Sequence, residues 1–115
     1  MFEKLKERMA AADERIRIRV GRAELMGQTM FGWNFADDGG QWDRTSERVR
    51  NKYRADAYLY IKFIHERSSP EALASYLWYW NGGRDYPLDG QHSSMRQLYL
   101  DRAQALINAY NIYSD

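Results

Sequence analysis

The chain has 115 residues, no cysteine, and 17 basic against 16 acidic side chains, a net charge of +1. Missing thiols exclude disulfides, thiolate nucleophiles and cysteine-ligated metal centres, and the near-neutral total excludes a global field for nucleic acid or an acidic membrane surface. With 44% hydrophobic and 15% aromatic residues, the composition is that of an ordered chain of single-domain size, one all-α domain over residues 1–115.

The first stretch, MFEKLKERMAAADERIRIRV, mixes acids and bases. It holds no apolar run near the ~18 residues of a membrane span, so the expectation is no membrane partner and a cytoplasmic location, in its own cell or a host's. Phe2, Leu5, Met9, Ala12, Ile16, Ala23 and Met26 recur at three- and four-residue steps, which draws one apolar stripe along a helix from Phe2 to about Met26. RIRIRV alternates as a strand would, but helical sequence precedes it; Gly21 and Gly27 are the candidate weak points. Such a helix is roughly 37 Å long against a domain diameter of about 34 Å, so part of it is expected to overhang and to meet a second copy or another protein.

Across residues 29–44 the helical period is lost. Phe31, Trp33 and Phe35 alternate ahead of Asp38-Gly39-Gly40, which predicts an irregular segment or a small β-hairpin. Helical spacing resumes at Thr45, with Thr45 or Ser46 as cap and Val49, Tyr53, Ala57, Tyr60, Ile61 and Ile64 on one face, ending near Ser68.

Arg44, Arg48, Arg50, Lys52 and Arg54 crowd the start of that helix, where the helix dipole favours acids. Surface pairing with Asp37, Asp38 and Asp43 would neutralise them, with Glu47 interrupting the run. Contact between nucleic-acid phosphates and Arg48, Arg50, Lys52 and Arg54 is the alternative, although no helix-turn-helix, RNA-recognition or zinc-finger pattern accompanies them. Arg15, Arg17, Arg19 and Arg22 form a second basic patch. Tyr58 points off the apolar face between Arg54 and Lys62, with His65 further along; the group can stack a base or grip an acidic partner, or be a tyrosine covered by two aliphatic stems.

SSPEALASYLWYWNGG carries Ser69 as N-cap, Pro70 at the first helical position, Glu71 in the first turn and Gly82 or Gly83 as the stop. Helical projection sends Leu73, Tyr76, Leu77 and Trp80 to the core, leaves Tyr79 at the edge and turns Trp78 to the opposite side. Trp78 and Tyr79, with Arg84 and Tyr86 of the next loop, are therefore the candidate partner-binding residues, with Tyr58 as a milder second site, because Trp, Tyr and Arg supply rigid area with a polar tip. The competing reading is a sandwiched helix that buries both sides.

The loop RDYPLDGQH puts Asp85, Asp89 and His92 together, in a setting that favours turn formation over catalysis. His65 and His92, the two histidines, exclude a histidine metal cluster, and no calcium-loop or phosphate-loop order is present, so no metal and no cofactor are expected. The last helix is predicted to begin at Ser94, in a capping box with Gln97, and to run through Met95, Leu98, Tyr99, Ala103, Leu106, Ala109, Tyr110 and Tyr113. Arg102 interrupts its apolar face, and Asp56 is its expected partner.

These elements predict a mainly α, compact bundle of about four helices. The functional expectation is a non-catalytic protein-binding module acting as an inhibitor, an adaptor or a small subunit of a larger assembly, a profile that fits a phage or mobile-element accessory protein. A nucleic-acid binder using residues 44–54, and a small enzyme built on the Asp85, Asp89 and His92 loop, are the alternatives.

Overall fold

The computed structural model describes residues 2–35, 41–66 and 69–113. They form α1 (Phe2–Asn34), α2 (Gln41–Arg44), α3 (Glu47–Glu66), α4 (Pro70–Trp80), a 3-10 turn (Leu88–Gly90) and α5 (Ser93–Ile112). The protein is a mainly α bundle, with no strand among the described residues.

The largest departure from expectation is α1, which runs unbroken for 33 residues. The three- and four-residue steps that reach Ala23 and Met26 continue through Met30 and Trp33. The hairpin expected across residues 29–44 does not form: α1 takes its beginning and α2 its end, while Asp38-Gly39-Gly40 lies outside the described residues. Phe31 and Phe35 alternate with Trp33, yet they also stand four residues apart, and on the helix their rings stack at 4.7 Å. Phe31 is buried edge-on to Trp42 at 5.5 Å and Tyr53 at 5.6 Å, so tertiary packing secures the helical choice. Nor does Gly27 break α1. A Cβ there would stand 3.3 Å from the backbone of Tyr53 and Arg54, so its glycine lets α3 approach closely.

Caps act locally, and two hold as expected. The Ser46 hydroxyl accepts from the Val49 amide at 3.3 Å, and the Ser69 hydroxyl accepts from the Ala72 amide at 3.3 Å with Pro70 at the first helical position. The end of α3 expected near Ser68 lies outside the described residues. The Ser94–Gln97 box does not form. α5 starts at Ser93, so the Ser94 amide is itself one of the unpaired first-turn donors. His92 Nδ1 accepts from it at 3.2 Å, and Gln97 instead donates to Asp101 at 2.8 Å.

The core draws Met26 from α1, Ala57 and Ile61 from α3, Leu73 and Leu77 from α4, and Ala103 and Leu106 from α5, with Leu88 of the 3-10 turn. Its buried cation is Arg22, only 5% exposed. Arg22 Nε donates to the Tyr110 carbonyl at 3.0 Å and Nη2 to the Tyr113 carbonyl at 2.7 Å, while its guanidinium lies 3.8 Å from the centre of the Tyr110 ring. Carbonyls at a helix C-terminus lack intrahelical donors and attract cations, so this one side chain ties α1 to the end of α5. Arg102, by contrast, is half-buried over Trp33 at 5.1 Å and Tyr99 at 5.4 Å, and no ion pair joins it to Asp56. Flat ring faces replace the expected carboxylate. Burial, reinforced by the Asp56 charge, pushes the Tyr60 hydroxyl up to about 12.

The extents are 60 × 33 × 21 Å and the radius of gyration is 16.6 Å, against about 13 Å for a compact domain of this length. α1 explains the difference. It is about 50 Å long, and Ile18 is its first buried residue. Replacing Arg22 by Met removes its hydrogen bonds to the Tyr110 and Tyr113 carbonyls and is expected to cost about 2 to 4 kcal/mol, measured by urea unfolding; Arg102→Met should cost about 1 kcal/mol or less.

Candidate functional site

α4 buries Leu73, Ala74 and Leu77. The buried face of α4 thus includes Ala74, one turn before Trp78, and lies on the side of Trp78 rather than that of Trp80. Trp78 is accordingly half-buried, edge-on to Tyr99 at 5.1 Å, and its indole N–H donates to the Tyr86 carbonyl. The chain reverses through Gly82, at φ +104°, and Gly83, whose amide donates to the Trp78 carbonyl at 2.9 Å. A Cβ on Gly83 would stand 2.1 Å from Trp78 Nε1. Only glycine lets the indole lie flat against the returning chain.

On the other flank Tyr76 stacks on Phe63 at 4.4 Å and meets Tyr60 edge-on at 5.8 Å. Trp80 leans on Tyr76 from outside at 6.1 Å. Contrary to the projection that placed it in the core, Trp80 is 48% exposed, and neighbouring Tyr79 is 46% exposed. The two rings are perpendicular at 5.6 Å, and the Arg84 guanidinium lies 5.3 Å from the Tyr79 ring centre and 5.6 Å from that of Trp80. Tyr86, also exposed, follows two residues later. Tyr79 and Arg84 therefore come together as candidates, Trp80 joins them, and Trp78 becomes the strut behind the loop. Ala74, a small apolar residue one turn before Trp78, is the sequence signal for burial on that side of α4.

Tyr58 belongs to a different surface. It lines a groove of about 900 Å³ between α1 and α3, with Arg15, Ile18, Arg19 and Lys62. Arg19, rather than Arg54 or Lys62, covers its ring at 4.9 Å. His65 is engaged by the Tyr110 hydroxyl, 2.7 Å from Nδ1. Arg17 pairs with Glu14 within α1.

The basic start of α3 is largely matched. Arg54 bonds Glu24 of α1 and reaches Glu47 at 2.6 Å, and Arg50 reaches Glu47 at 2.7 Å. Glu47, the interruption in the basic run, is thus its principal acceptor on α3. Asp37 and Asp38 lie outside the described residues, and Asp43 contributes its backbone carbonyl to Arg50 at 3.2 Å. Trp42 completes the group: its indole N–H donates to Glu24 at 2.8 Å, and the Arg54 guanidinium lies 5.7 Å from its ring centre. The Arg54 hydrogen bond holds the Glu24 carboxyl below its ordinary range against the opposing effect of burial, with the Trp42 bond assisting. Arg54 and then Arg50 lower Glu47 in the same sense. Of the nucleic-acid candidates, Arg50 and Arg54 are engaged, whereas Arg48 and Lys52 are exposed.

Asp85, Asp89 and His92 are all exposed, with His92 serving as a cap. Among the described residues no three His, Asp or Glu side chains converge to hold a metal ion, and no helix is long and apolar enough to cross a membrane. Comparison with protein families, with curated proteins and with solved structures finds no match to this chain.

Two outcomes follow from the geometry. Trp78→Ala should cost about 2 to 3 kcal/mol in urea unfolding and Trp80→Ala less than about 1, since the first removes a ring packed on the buried Tyr99 together with the hydrogen bond that holds the loop, whereas the second removes a half-exposed ring. Because the folded Glu24 carboxyl titrates below its ordinary 4.5, its contribution is fully present above that value and is lost as pH falls through the lowered one. Glu24→Gln should therefore reduce the fall in urea midpoint between roughly pH 5 and pH 3.

Proposed function

We propose that the chain is a non-catalytic protein-binding module, an inhibitor, adaptor or small subunit of a larger assembly, whose contact surface centres on Tyr79, Trp80 and Arg84 with Tyr86 at its margin. One observation carries this: a guanidinium rests on two half-exposed rings at the tip of a helix, in front of a reversal braced by Trp78 and Gly83. Exposed aromatic area gains free energy when covered. Rings and guanidinium already ordered against one another lose little entropy on binding, and these residue types dominate binding hot spots.

The chemistry also describes the partner. Among the described residues no carboxylate pairs with Arg84, so the complementary surface is an apolar ridge that carries an acid. The nucleic-acid alternative has less support, because Arg50 and Arg54 already have carboxylate partners.

Wild-type chain, Trp80→Ala and Arg84→Ala, each immobilised, can be compared for retention of partners from a native lysate, with circular dichroism as the folding control. Each substitution is expected to weaken the retained complex about 30-fold, corresponding to about 2 kcal/mol, at unchanged helicity. Equal retention by all three would refute the platform.

A further inference from the structure

We infer that α1 pairs with the α1 of a second copy, as an antiparallel two-helix coiled coil over residues 2–19. The inference stands on the opposite end of the chain from the aromatic platform and does not rest on it.

Phe2, Leu5, Met9, Ala12, Ile16, Arg19, Ala23, Met26, Met30 and Trp33 form one unbroken series of alternating three- and four-residue steps, the seam of a heptad repeat. Its second half is covered by the bundle: Ala23, Met26 and Met30 are buried and Trp33 packs on the core. Its first half is bare, with Phe2 80%, Leu5 54%, Met9 59% and Ile16 60% exposed. α3 ends with His65 and Glu66 beside Glu14 and Arg15 in the groove, and α5 ends where Arg22 reaches Tyr110 and Tyr113. The described part of this chain therefore offers nothing to cover the seam ahead of these points. A dozen helical residues without tertiary contacts are marginal in water, and a seven-residue apolar repeat is the pattern that a second helix covers.

Steric and charge arguments choose the occupant's direction and register. A parallel copy would follow the same seam past Arg19, where the chain's own α3 and α5 lie. An antiparallel copy overlaps residues 2–19, where Phe2, Leu5, Met9 and Ile16 are bare and Arg19, whose guanidinium lies on Tyr58, is the one seam position already touching α3, and it leaves the two bundles at opposite ends. Pairing Phe2 with the partner's Arg19 sets Leu5 on the partner's Ile16 and Met9 on the partner's Ala12, each contact made twice by the two-fold axis. Large side chains then face small ones, and Phe2 lies on the aliphatic stem of an arginine. At the flanks Lys6 meets the partner's Asp13 twice, against two Arg8 approaches to the partner's Arg15 in exposed positions, where like charges cost little. Sliding by one heptad sets Lys6 on Lys6 and Arg8 on Arg8 with no opposite pair, so charge favours the first register.

The absence of cysteine makes the test clean. Sedimentation equilibrium across the micromolar range should show the mass of the wild-type chain rising from one copy toward two. Met9→Glu should weaken that association more than tenfold and lower the hydrogen-exchange protection of residues 2–16, while leaving the urea midpoint unchanged at a dilution where both chains are single copies. Under mild oxidation, mixed Leu5→Cys and Ile16→Cys chains should give a disulfide between the two variants in preference to either variant with itself. Same-variant disulfides in equal or greater yield would overturn the antiparallel register. A wild-type chain that stays monomeric, with residues 2–16 gaining hydrogen-exchange protection only on anionic vesicles or with another protein, would overturn the dimer and assign the stripe to lipid or to that protein.

Discussion

A helix of 33 residues packed against two helices of 20 must leave part of its length without a neighbour. Two contacts decide which part. Gly27 seats the backbone of Tyr53 and Arg54, which locks α3 onto the second half of α1, and Arg22 closes the carbonyl end of α5 onto the same half. Both anchors lie beyond Ile18, so the overhang falls on the N-terminal turns. The elongated shape, the bare first half of the apolar stripe and the groove between α1 and α3 all follow from where those anchors sit.

A second regularity is how the molecule disposes of its arginines. Arg19 covers Tyr58, Arg22 covers Tyr110, Arg54 covers Trp42 and Arg102 covers Trp33 and Tyr99. A guanidinium is weakly hydrated and flat, so a ring face can receive it at little desolvation cost. In most of these pairs the ring also serves packing or a hydrogen bond within the bundle. The Arg84 group differs in kind, because both its rings are substantially exposed and lie at the end of their helix. The same interaction that binds helices together elsewhere is presented here to the outside, which is why we place the contact surface there.

Signals that act within a few residues were readable from the chain. Ser69 with Pro70, Ser46, and the glycine stop after Trp80 are decided by a cap or a φ angle and need no distant partner. Signals that depend on what arrives from elsewhere were not. Phe31 and Phe35 read equally well as alternating strand residues or as neighbours four apart, and Trp42 and Tyr53 had to be in place before the choice had an energy attached to it. The same holds for Trp78 and Trp80: a helical wheel gives directions around α4, but which side is walled was set by α5, whose Tyr99 meets Trp78. Arg102 on the apolar face of α5 does have company, and rings rather than Asp56 supply it.

By itself, then, the sequence determined the helical class, the caps of α3 and α4, the apolar stripe of α1 and its overhang, because periodicity and capping are properties of short stretches. The tertiary structure alone decided that the rings of Phe31 and Phe35 serve a helix and not a hairpin, that Arg22 is buried, that Glu24 and Glu47 absorb the basic start of α3, and that Trp80 rather than Trp78 faces outward. Each of those depends on side chains far apart along the chain, whose meeting is fixed by how closely two helices can approach and not by any local pattern.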